Sequence, residues 1–286
     1  MGESVKKSEA GVIRDSEFSR FRDFFYHKTG ICFEQNKRYF VDKRLLKRME
    51  ETGHELFRTY FTALRFQSSG EEVQELINLM TVNETYFFRE EYQFECLVES
   101  VLNEVIKYKE LGDVIKIWSI PSSTGEEPYS IALYLLEYWD KINDYDVEIM
   151  SSDIDTKVLA KCEAGIYNAR SVKSLPKPLL RRHFKEHSRD KFEIDIEIRN
   201  AIDFTHVNLS DPTQTEAYRD IDVVFCRNLL IYFDDASRRQ VGDVFFDALQ
   251  PGGFIFLGHS ESMSRISSLY KVKKFPKAIA YQKPSL

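Results

Sequence analysis

The amino-acid sequence predicts an α/β protein whose doubly wound, mostly parallel sheet follows an all-α region. From about residue 113 onward, short runs rich in β-branched and aromatic residues alternate with segments of helical periodicity, which is typical of βαβ units. Between residues 15 and 80, apolar residues recur only at helical spacing. The last run, "LYKVKKFPKAIAYQK", indicates two strands around Pro276, and we expect this hairpin to close the sheet in the antiparallel direction.

The all-α region is expected to be a helical domain at 15–80, after a flexible segment at 1–14. Its first helix, "SEFSRFRDFFYHKTG", places phenylalanines on one face, with Ser16 as the N-cap and Gly30 as the stop. Three further helices are predicted at 36–52, 54–66 and 70–80.

A linker with a bridging helix is expected at 81–112, and the α/β domain at 113–286. The predicted strands of this domain are 114–118, 146–153, 202–209, 221–228 and 252–260, and its predicted helices lie near 128–139, 155–164 and 235–249. In an open sheet of this kind, ligands bind beyond the carboxyl ends of the strands, near the point where the strand order reverses. The residues that directly follow each strand are therefore the candidates for a site.

The composition bounds the class of protein. With 286 residues, of which 43% are hydrophobic and 14% aromatic, the chain can bury a substantial core. Its apolar runs are too short to cross a membrane and its amino terminus lacks the apolar stretch of a signal peptide, so we expect a cytoplasmic protein with no membrane insertion. The four cysteines are scattered without metal-ligand spacing, which disfavours a metal site and a disulfide framework.

The formal net charge of −6 disfavours general binding to nucleic acid, but one segment is basic. The run "KRYFVDKRLLKR" (37–48) holds six basic residues and one acid, and on a helix its apolar residues are expected to turn toward the bundle. The set expected to face inward is Tyr39, Phe40, Leu45, Leu46 and Met49. At least part of the charge of Lys37, Arg44, Lys47 and Arg48 is therefore expected to face outward. We expect this basic set to contact an acidic partner, although an ordinary solvated helix face explains the same pattern.

Polar residues follow four of the predicted strands. They are Ser122 to Glu127, Asp153, Asn208 with Leu209, and Cys226 to Asn228. The first loop has one glycine, Gly125, where the dinucleotide-binding pattern needs three, and its carboxylates would repel a pyrophosphate. A ligand with a ribose, no phosphate and a positive end fits both observations, and S-adenosylmethionine has these properties.

Two acids are assigned to this ligand from their positions. Glu127 would hold the sulfonium and α-ammonium charges, and Asp153 would accept hydrogen bonds from the ribose diol. Each position has an alternative interpretation, because an acid in a first helical turn, such as Glu126, favours the macrodipole. Asp153 could equally cap the helix that begins near Asp155. The coincidence of polar residues at four strand ends favours the ligand interpretation.

A family resemblance rests on six strings. They are "NETYFFRE" (83–90), "STGEEPYSIA" (123–132), "SSDIDTKVLAKCEAGIY" (151–167), "VNL" (207–209), "FCRNLLIYFD" (225–234) and "GGFIFLGHSES" (252–262). In this order, over nearly the whole chain, they resemble the CheR family of chemotaxis receptor glutamate methyltransferases. The resemblance implies an all-α N-terminal domain joined to a class I, Rossmann-like methyltransferase domain that binds S-adenosylmethionine. It also implies a small β-subdomain, expected at about 190–204, and chemoreceptor signalling helices as the substrate.

Position by position, the resemblance implies a set of cofactor-binding residues. They are Asn83, Thr85, Arg89, Glu127, Asp153, Asn208, Leu209, Arg227 and Asn228. Within this set, Glu127 would hold the amino-acid end of the cofactor, Asp153 the ribose, and Asn208 with Leu209 the adenine. Arg89 and Tyr232 would lie beside the transferable methyl group as the catalytic residues. Without the family, Arg89 would be interpreted as a surface arginine and Tyr232 as a core tyrosine.

The sequence departs from the family in two places. Ile120, Pro121 and Ser122 stand where the family usually has small residues, and Pro121 removes an amide donor from the loop. The connection "KEHSRD" is short, whereas longer, glycine-bearing versions belong to members that grip a receptor's carboxyl-terminal tether peptide. We therefore do not expect tether-peptide binding by the β-subdomain.

The implied reaction needs little acid–base chemistry. A glutamate carboxylate has an ordinary pKa of about 4.3, so at neutral pH it is ionised and can attack the sulfonium methyl group without a general base. The products would be a glutamyl methyl ester and S-adenosylhomocysteine, and no metal is needed. We expect a monomer. Two alternatives stay open: a small-molecule O-methyltransferase on the same fold, and a non-catalytic regulatory module that binds S-adenosylmethionine.

Overall fold

The computed structural model of the chain describes residues 12–285. The chain forms two compact units, which meet in the sequence between Val82 and Asn83. Most of the flexible segment expected at 1–14 lies outside the described residues. In the part of the chain that the structure describes, no helix has both the length and the apolar character that crossing a membrane needs.

The first unit consists of four α-helices. They are α1 (Asp15–Thr29), α2 (Arg38–Glu51), α3 (Phe57–Phe66) and α4 (Glu71–Met80). Each helix buries one apolar face, and Phe21, Phe25, Val41 and Leu45 have no exposed surface. Because isolated helices of this length are marginal in water, the packing of these faces stabilises the unit more than helix propensity does.

Helix α1 begins at Asp15, so the prediction of Ser16 as its N-cap is wrong. Arg14 is the N-cap residue, and its backbone amide donates to the Glu17 carboxylate at 2.9 Å. The carboxylate of Glu17, in the first turn, thus accepts a backbone amide at the start of the helix, where the hydroxyl of Ser16 was expected to act as the cap. At the other end, the predicted stop is confirmed: Gly30 has a φ of 72° and its amide donates to the carbonyl oxygen of Tyr26 at 2.7 Å.

The second unit contains ten β-strands among the described residues. They are β1 (Val114–Ser119), β2 (Asp146–Asp153), β3 (Ile166–Asn168), β4 (Phe184–Ser188), β5 (Lys191–Ile194), β6 (Ile202–His206), β7 (Ile221–Cys226), β8 (Leu249–Leu257), β9 (Lys271–Lys274) and β10 (Ile279–Gln282). Seven of them form one sheet in the order β6-β2-β1-β7-β8-β10-β9. The first five strands in that order are parallel, and β10 and β9 form an antiparallel hairpin at the edge, as predicted.

The order of the strands defines where a ligand can bind. From β1, the chain builds the sheet outward through β2 and β6, and then returns to the other side of β1 with β7 and β8. The order therefore reverses between β1 and β7. Loops that leave neighbouring strand ends at such a point diverge to opposite faces of the sheet and leave a crevice between them.

The helices of the second unit complete the fold. They are α5 (Tyr92–Cys96), α6 (Leu102–Val105), α7 (Glu126–Tyr138), α8 (Thr156–Ala164), α9 (Lys177–His183), α10 (Ile196–Asn200), α11 (Pro212–Thr215) and α12 (Asp235–Ala248). A π-helical turn at Leu97–Val101 joins α5 to α6. The aromatic ring of Phe94 on α5 stacks on Phe225 of β7, with ring centroids 5.9 Å apart, so this helical stretch packs on the sheet.

A small antiparallel sheet has the order β3-β5-β4. Its extent differs from the predicted subdomain at about 190–204, because only β5 falls in that range, while α10 follows and β6 belongs to the large sheet. The alternating run "KFEIDIEI" resembles one long strand. Asp195 interrupts it, since its carboxylate accepts the amide of Glu197 at 2.9 Å and caps α10.

Candidate functional site

The loop after β1 is tied to the end of β2. The amide of Ser122 donates to the carbonyl oxygen of Ser152 at 2.8 Å, and the Ser122 hydroxyl lies 2.8 Å from that of Ser151. Ser122 and its two partners are fully buried. Ser122, one of the residues that differ from the family pattern, therefore continues the pairing with β2 past the end of β1.

Asp153, the last residue of β2, holds that loop through its side chain. Its carboxylate accepts the amide of Ser123 at 2.8 Å and the amide of Asp155 at 2.9 Å. Burial raises the pKa of Asp153 to about 7, although these backbone donors oppose the rise. The N-cap of α8 is Asp155, whose carboxylate accepts the amides of Lys157 and Val158, so the capping interpretation of Asp153 is wrong.

Gly125 turns the chain into α7. It has a φ of 96°, in the region that favours glycine. A Cβ at this position would lie 2.7 Å from the Tyr167 hydroxyl and 3.2 Å from the Cys162 sulfur. The hydroxyl of Tyr167 donates to the carbonyl oxygen of Thr124 at 2.9 Å, which fixes the turn from outside. Glycine is therefore required here by both the backbone and the packing.

The two acids that open α7 have different environments. Glu126 is buried and accepts hydrogen bonds from the hydroxyls of Thr124, at 2.6 Å, and Ser171. Glu127 accepts a hydrogen bond from the Ser119 hydroxyl at 2.9 Å and lies 3.2 Å from the guanidinium of Arg227. Burial raises the pKa of Glu127, while Arg227 and Ser119 oppose the rise. The Glu126 carboxylate is thus hydrogen-bonded to hydroxyls of neighbouring segments, whereas Glu127 forms a buried charge pair with Arg227.

Arg227 connects the segments that surround the crevice. Its Nη1 pairs with Glu127, and its Nη2 donates to the backbone oxygen of Arg89 and lies 3.6 Å from Glu90. The guanidinium also stacks over the ring of Phe94, with 5.2 Å between its carbon and the ring centroid. Among the described residues its buried Nε has no hydrogen-bond partner. Most of the charge of Arg227 is therefore directed to protein groups.

The segment 83–90 lies against the starts of α7 and α8. Asn83 donates to the Asp155 carboxylate at 3.1 Å, and the amide of Phe88 donates to the Ser130 hydroxyl at 3.0 Å. Phe88 and Glu90 both have positive φ, 59° and 56°, which is costly for residues other than glycine. These two residues flank Arg89.

The side chains of this segment differ in exposure. Thr85 and Arg89 are half-buried, and the Nη1 of Arg89 donates to the carbonyl oxygen of Glu84 at 2.7 Å. An arginine has five N–H donors, so this bond leaves most of the guanidinium available to a further acceptor.

The turn after β7 carries Asn228 and Tyr232. Asn228 has a positive φ of 58°, and its amide donates to the Glu261 carboxylate at 2.9 Å. Tyr232 is half-buried in the 3-10 turn Leu230–Tyr232. Burial raises the pKa of Tyr232, the charge of Glu84 adds to the rise, and the charge of Arg89 opposes it. Tyr232 and Arg89, which come from distant parts of the sequence, therefore interact electrostatically.

The residues after β6 are fixed by local hydrogen bonds. The amide of Val207 donates to the carbonyl oxygen of Asp153 at 3.0 Å. The amide of Asn208 donates to the Gln214 side chain at 2.8 Å, and the Asn208 side chain accepts the amide of Ser210 at 3.0 Å. Leu209 is buried. The bond to Gln214 ties Asn208 to α11. The preceding residue, Val207, is the one bonded to Asp153.

The structure thus joins several of the predicted residues by direct bonds: Glu127 to Arg227, and Arg227 to the backbone of Arg89. It adds two residues that had no predicted role, Glu90 and Glu261. Glu90 stands next to Arg89 in "NETYFFRE" and Glu261 ends "GHSE", so their positions in these strings were the available signals. In the described part of the chain, no group of three or more histidines, cysteines and acids could hold a metal ion.

The basic helix α2 differs from its prediction. Lys37, which directly precedes α2, and Lys47 within it are exposed, but Arg48 makes two hydrogen bonds with the Glu72 carboxylate, at 3.0 and 2.5 Å. Arg44 donates to the carbonyl oxygen of Leu79 at 2.7 Å. Its guanidinium carbon also lies 3.3 Å from the centroid of the Phe40 ring. Arg44 and Arg48 thus hold α2 to the rest of the helical unit, and Lys37 and Lys47 are the members of the predicted basic set that face outward.

The inward set predicted for α2 also needs correction. Tyr39 is 80% exposed, whereas Leu45 and Met49 are buried as predicted. Val41 takes the inward position one turn before Leu45, so the apolar stripe is shifted relative to the prediction.

Comparison with known proteins identifies relatives over nearly the whole chain. Residues 83–279 match the family model described as the CheR methyltransferase SAM-binding domain. Residues 16–81 match the CheR methyltransferase all-alpha domain. The chain is 55% identical to chemotaxis protein methyltransferase 2 of Vibrio cholerae serotype O1, over 96% of this chain and 94% of the relative.

Two further relatives are more distant. The chain is 34% identical to the chemotaxis protein methyltransferase of Salmonella typhimurium, over 89% of this chain and 86% of the relative. It is 32% identical to that of Escherichia coli, over 94% of this chain and 92% of the relative.

Proposed function

Because the chain belongs to the CheR family of chemotaxis methyltransferases, we propose that it methylates glutamate side chains of chemoreceptors. Its cofactor is S-adenosylmethionine, and the proposed products are a glutamyl γ-methyl ester and S-adenosylhomocysteine. The observation that carries the proposal is the buried Glu127 carboxylate beside Arg227, at the point where the strand order reverses. A carboxylate there provides a counter-charge for a cationic cofactor, which a phosphate-binding loop does not.

The residues present fit the cofactor chemically. The Asp153 carboxylate accepts the amides of Ser123, Asp155 and Ile154, and its remaining lone-pair capacity would accept a hydrogen bond from the ribose diol. The hydroxyl of Ser123 is buried with no partner among the described residues, so it also has hydrogen-bonding capacity beside Asp153. Glu127 has lone pairs beyond those used by Ser119 and Arg227, which would receive the α-ammonium group.

The other members of the cofactor set are assigned by their segments. Asn208 and Leu209, after β6, would border the adenine. Asn83, Thr85 and Arg89 would close the crevice from the segment before α5. Arg227 would act chiefly by orienting Glu127, since its Nη groups are already engaged. Asn228 would form the wall after β7.

The proposed chemistry depends on alignment. S-adenosylmethionine supplies a sulfonium methyl group, which is electrophilic without further activation. The glutamate of the receptor is already ionised at neutral pH, so no residue needs to remove a proton. Arg89 would bind the incoming carboxylate through its free N–H groups, and the Tyr232 hydroxyl would donate to the second oxygen. Exclusion of water from both charges would contribute most of the remaining rate.

The receptor is proposed to dock through α2. Lys37 and Lys47 are the members of the predicted set that are exposed. Receptor helices that carry methylatable glutamates are acidic around those sites. A positive helix face would speed encounter with such a surface and help to fix its register. Arg44 and Arg48 would support this face indirectly, by holding α2 in the helical unit.

A labelling experiment tests the proposal. The protein is incubated with S-adenosylmethionine that carries a radioactive methyl group and with a panel of receptor cytoplasmic fragments. We expect label in a receptor fragment, and we expect mild base to release it, because carboxyl methyl esters are base-labile. Label that appears only in small molecules from an added cell extract would instead indicate a small-molecule O-methyltransferase. Calorimetric binding of the cofactor with no transfer to any acceptor would indicate a non-catalytic module.

A further inference from the structure

The carboxylate of Glu261 is surrounded by backbone amides that donate to it. Its Oε2 accepts from Asn228 at 2.9 Å and from Gly258 at 2.8 Å, and its Oε1 accepts from Leu230 at 2.8 Å. Two of these donors belong to the turn after β7, and the third belongs to the loop after β8. One side chain therefore ties together the ends of two neighbouring parallel strands.

The turn that Glu261 holds includes a residue with a positive φ. Asn228 has a φ of 58°, which is uncommon outside glycine but is tolerated by asparagine better than by most residues. The next residues, Leu230–Tyr232, form a single 3-10 turn, which brings Tyr232 to its half-buried position. The Glu261 carboxylate accepts the amides of Asn228 and Leu230, so it bridges the positive-φ residue and the start of the 3-10 turn.

Gly258 makes room for this arrangement. A Cβ at residue 258 would lie 2.8 Å from Oε2 of Glu261 and 2.9 Å from the amide nitrogen of Asn228. Both distances are shorter than carbon atoms normally tolerate, and the second involves backbone. The glycine therefore permits the close approach of the carboxylate to the turn.

We propose that Glu261 is a positioning residue for methyl transfer, which fixes the turn after β7 and acts through Tyr232. This inference rests on the proposed function, because it takes Tyr232 as the group that donates to the glutamate carboxylate. A hydrogen-bond donor must be held within a few tenths of an ångström of the productive geometry to align a nucleophile. The 3-10 turn is too short to hold Tyr232 by itself.

The charge of Glu261 has a second consequence for Tyr232. Burial raises the pKa of the phenol, and the negative charges of Glu84 and Glu261 add to the rise, while Arg89 opposes it. A phenol with an ordinary pKa of about 10 is already protonated across the neutral range, and this rise keeps it so. A protonated phenol is the form that donates a hydrogen bond to a carboxylate, so the position and the charge of Glu261 act in the same direction.

The test compares Glu261→Gln in two backgrounds. Glutamine has nearly the same shape but only one acceptor oxygen, so at least one of the backbone amides loses its acceptor. In the otherwise wild-type chain we expect kcat on a receptor fragment to fall about tenfold or more. In a Tyr232→Phe background we expect the same change to lower kcat less than about twofold, because the group that Glu261 positions is already absent.

Hydrogen exchange gives a readout that needs no substrate. We expect the amides of Asn228 and Leu230 to exchange faster in Glu261→Gln than in wild type. The matched control is Asp195→Asn, which removes a carboxylate that accepts the amide of Glu197 at 2.9 Å, at the start of α10. This control is expected to leave both kcat and the exchange of the turn after β7 unchanged.

Three outcomes would overturn the inference. They are an equal loss of kcat in both backgrounds, unchanged exchange at Asn228 and Leu230, and an equal loss of kcat in Asp195→Asn. If Glu261→Gln fails to fold, Gly258→Ala perturbs the same carboxylate from the other side, and it must show the same dependence on Tyr232. A wild-type protein that methylates no glutamate contradicts the proposed function, whereas unchanged exchange overturns the role of Glu261 even where that function holds.

Discussion

The guanidinium of Arg227 lies 3.2 Å from the carboxylate of Glu127, and their side chains are only 2% and 14% exposed. The pair joins the turn after β7 to the first turn of α7, across the point where the strand order reverses. Since Arg227 also donates to the backbone of Arg89, one side chain connects three segments of the proposed site.

The first prediction concerns the stability of this pair. We expect Arg227→Gln to lower the free energy of unfolding by about 3–5 kcal/mol, because it leaves Glu127 as a buried charge without its cation. The double variant Arg227→Gln with Glu127→Gln removes both charges and is expected to recover part of that loss. Urea denaturation measures both. A single substitution that costs no more than an ordinary surface change would contradict the prediction.

The second prediction concerns the ribose. Asp153→Ala is expected to weaken the binding of S-adenosylhomocysteine by about 1–3 kcal/mol, because charge-assisted hydrogen bonds to the ribose are lost. Isothermal titration calorimetry measures the affinity. Asp146→Asn is the matched control, since Asp146 is an exposed acid at the opposite end of the same strand. Equal affinity in Asp153→Ala and the control would remove Asp153 from the site.

The third prediction is a pH dependence of folding. Burial raises the pKa of Asp153 to about 7, whereas an aspartate in an unfolded chain titrates near about 3.9. Between these values the native state holds a proton that the unfolded state has released. The contribution of Asp153 to stability therefore falls as pH rises through this window.

We expect Asp153→Asn to remove that part of the pH dependence. The measurement is the free energy of unfolding without cofactor, between about pH 4 and pH 8. Identical slopes for the wild type and the variant would contradict the prediction.

The fourth prediction separates binding from turnover. Arg89→Ala is expected to lower kcat about a hundredfold while changing the affinity for S-adenosylhomocysteine less than threefold, because Arg89 is proposed to align the receptor carboxylate. Arg89→Lys keeps the charge but loses the bidentate geometry, so an intermediate kcat is expected. Equal losses in affinity and turnover for Arg89→Ala would make Arg89 a cofactor residue only.

The fifth prediction concerns docking through α2. Reversing Lys37 and Lys47 to glutamate is expected to raise the KM for a receptor fragment, with a larger effect at low salt, while binding of S-adenosylhomocysteine is unchanged. The control reverses two other exposed lysines, Lys173 and Lys177. Arg48 is unsuitable for this test, because its loss would leave Glu72 without its partner. If both double variants behave alike, docking does not use α2.

The placement of Asp153 and Arg227 at strand ends could be predicted from the sequence, for a physical reason. Asp153 ends β2 and Arg227 directly follows β7, and parallel strands bring such positions to one edge of the sheet whatever the side-chain contacts are. The family resemblance then gave roles to Arg89 and Tyr232, which periodicity alone would have left as surface and core residues.

Besides the local errors at the start of α1 and in the apolar stripe of α2, the sequence does not reveal contacts between residues distant in sequence. Glu126 is held by Ser171, and Arg48 by Glu72, so neither side chain has the freedom that its local pattern indicates. Glu261 lies 31 residues from Leu230, the amide that it accepts, and no local pattern reports that bond. Spacing along one helix or strand predicts which face a residue occupies, but it does not identify the partner that the fold brings there.

The most direct test of the account is to locate the methyl group on the acceptor. A receptor cytoplasmic fragment is incubated with the protein and S-adenosylmethionine, digested, and sequenced by tandem mass spectrometry, with Arg89→Ala as the control enzyme. We predict the added mass of one methylene on glutamate side chains of the receptor, reversed by mild base and greatly reduced with the control. Modification of other residue types, or none on any receptor fragment despite measurable cofactor binding, would contradict the account.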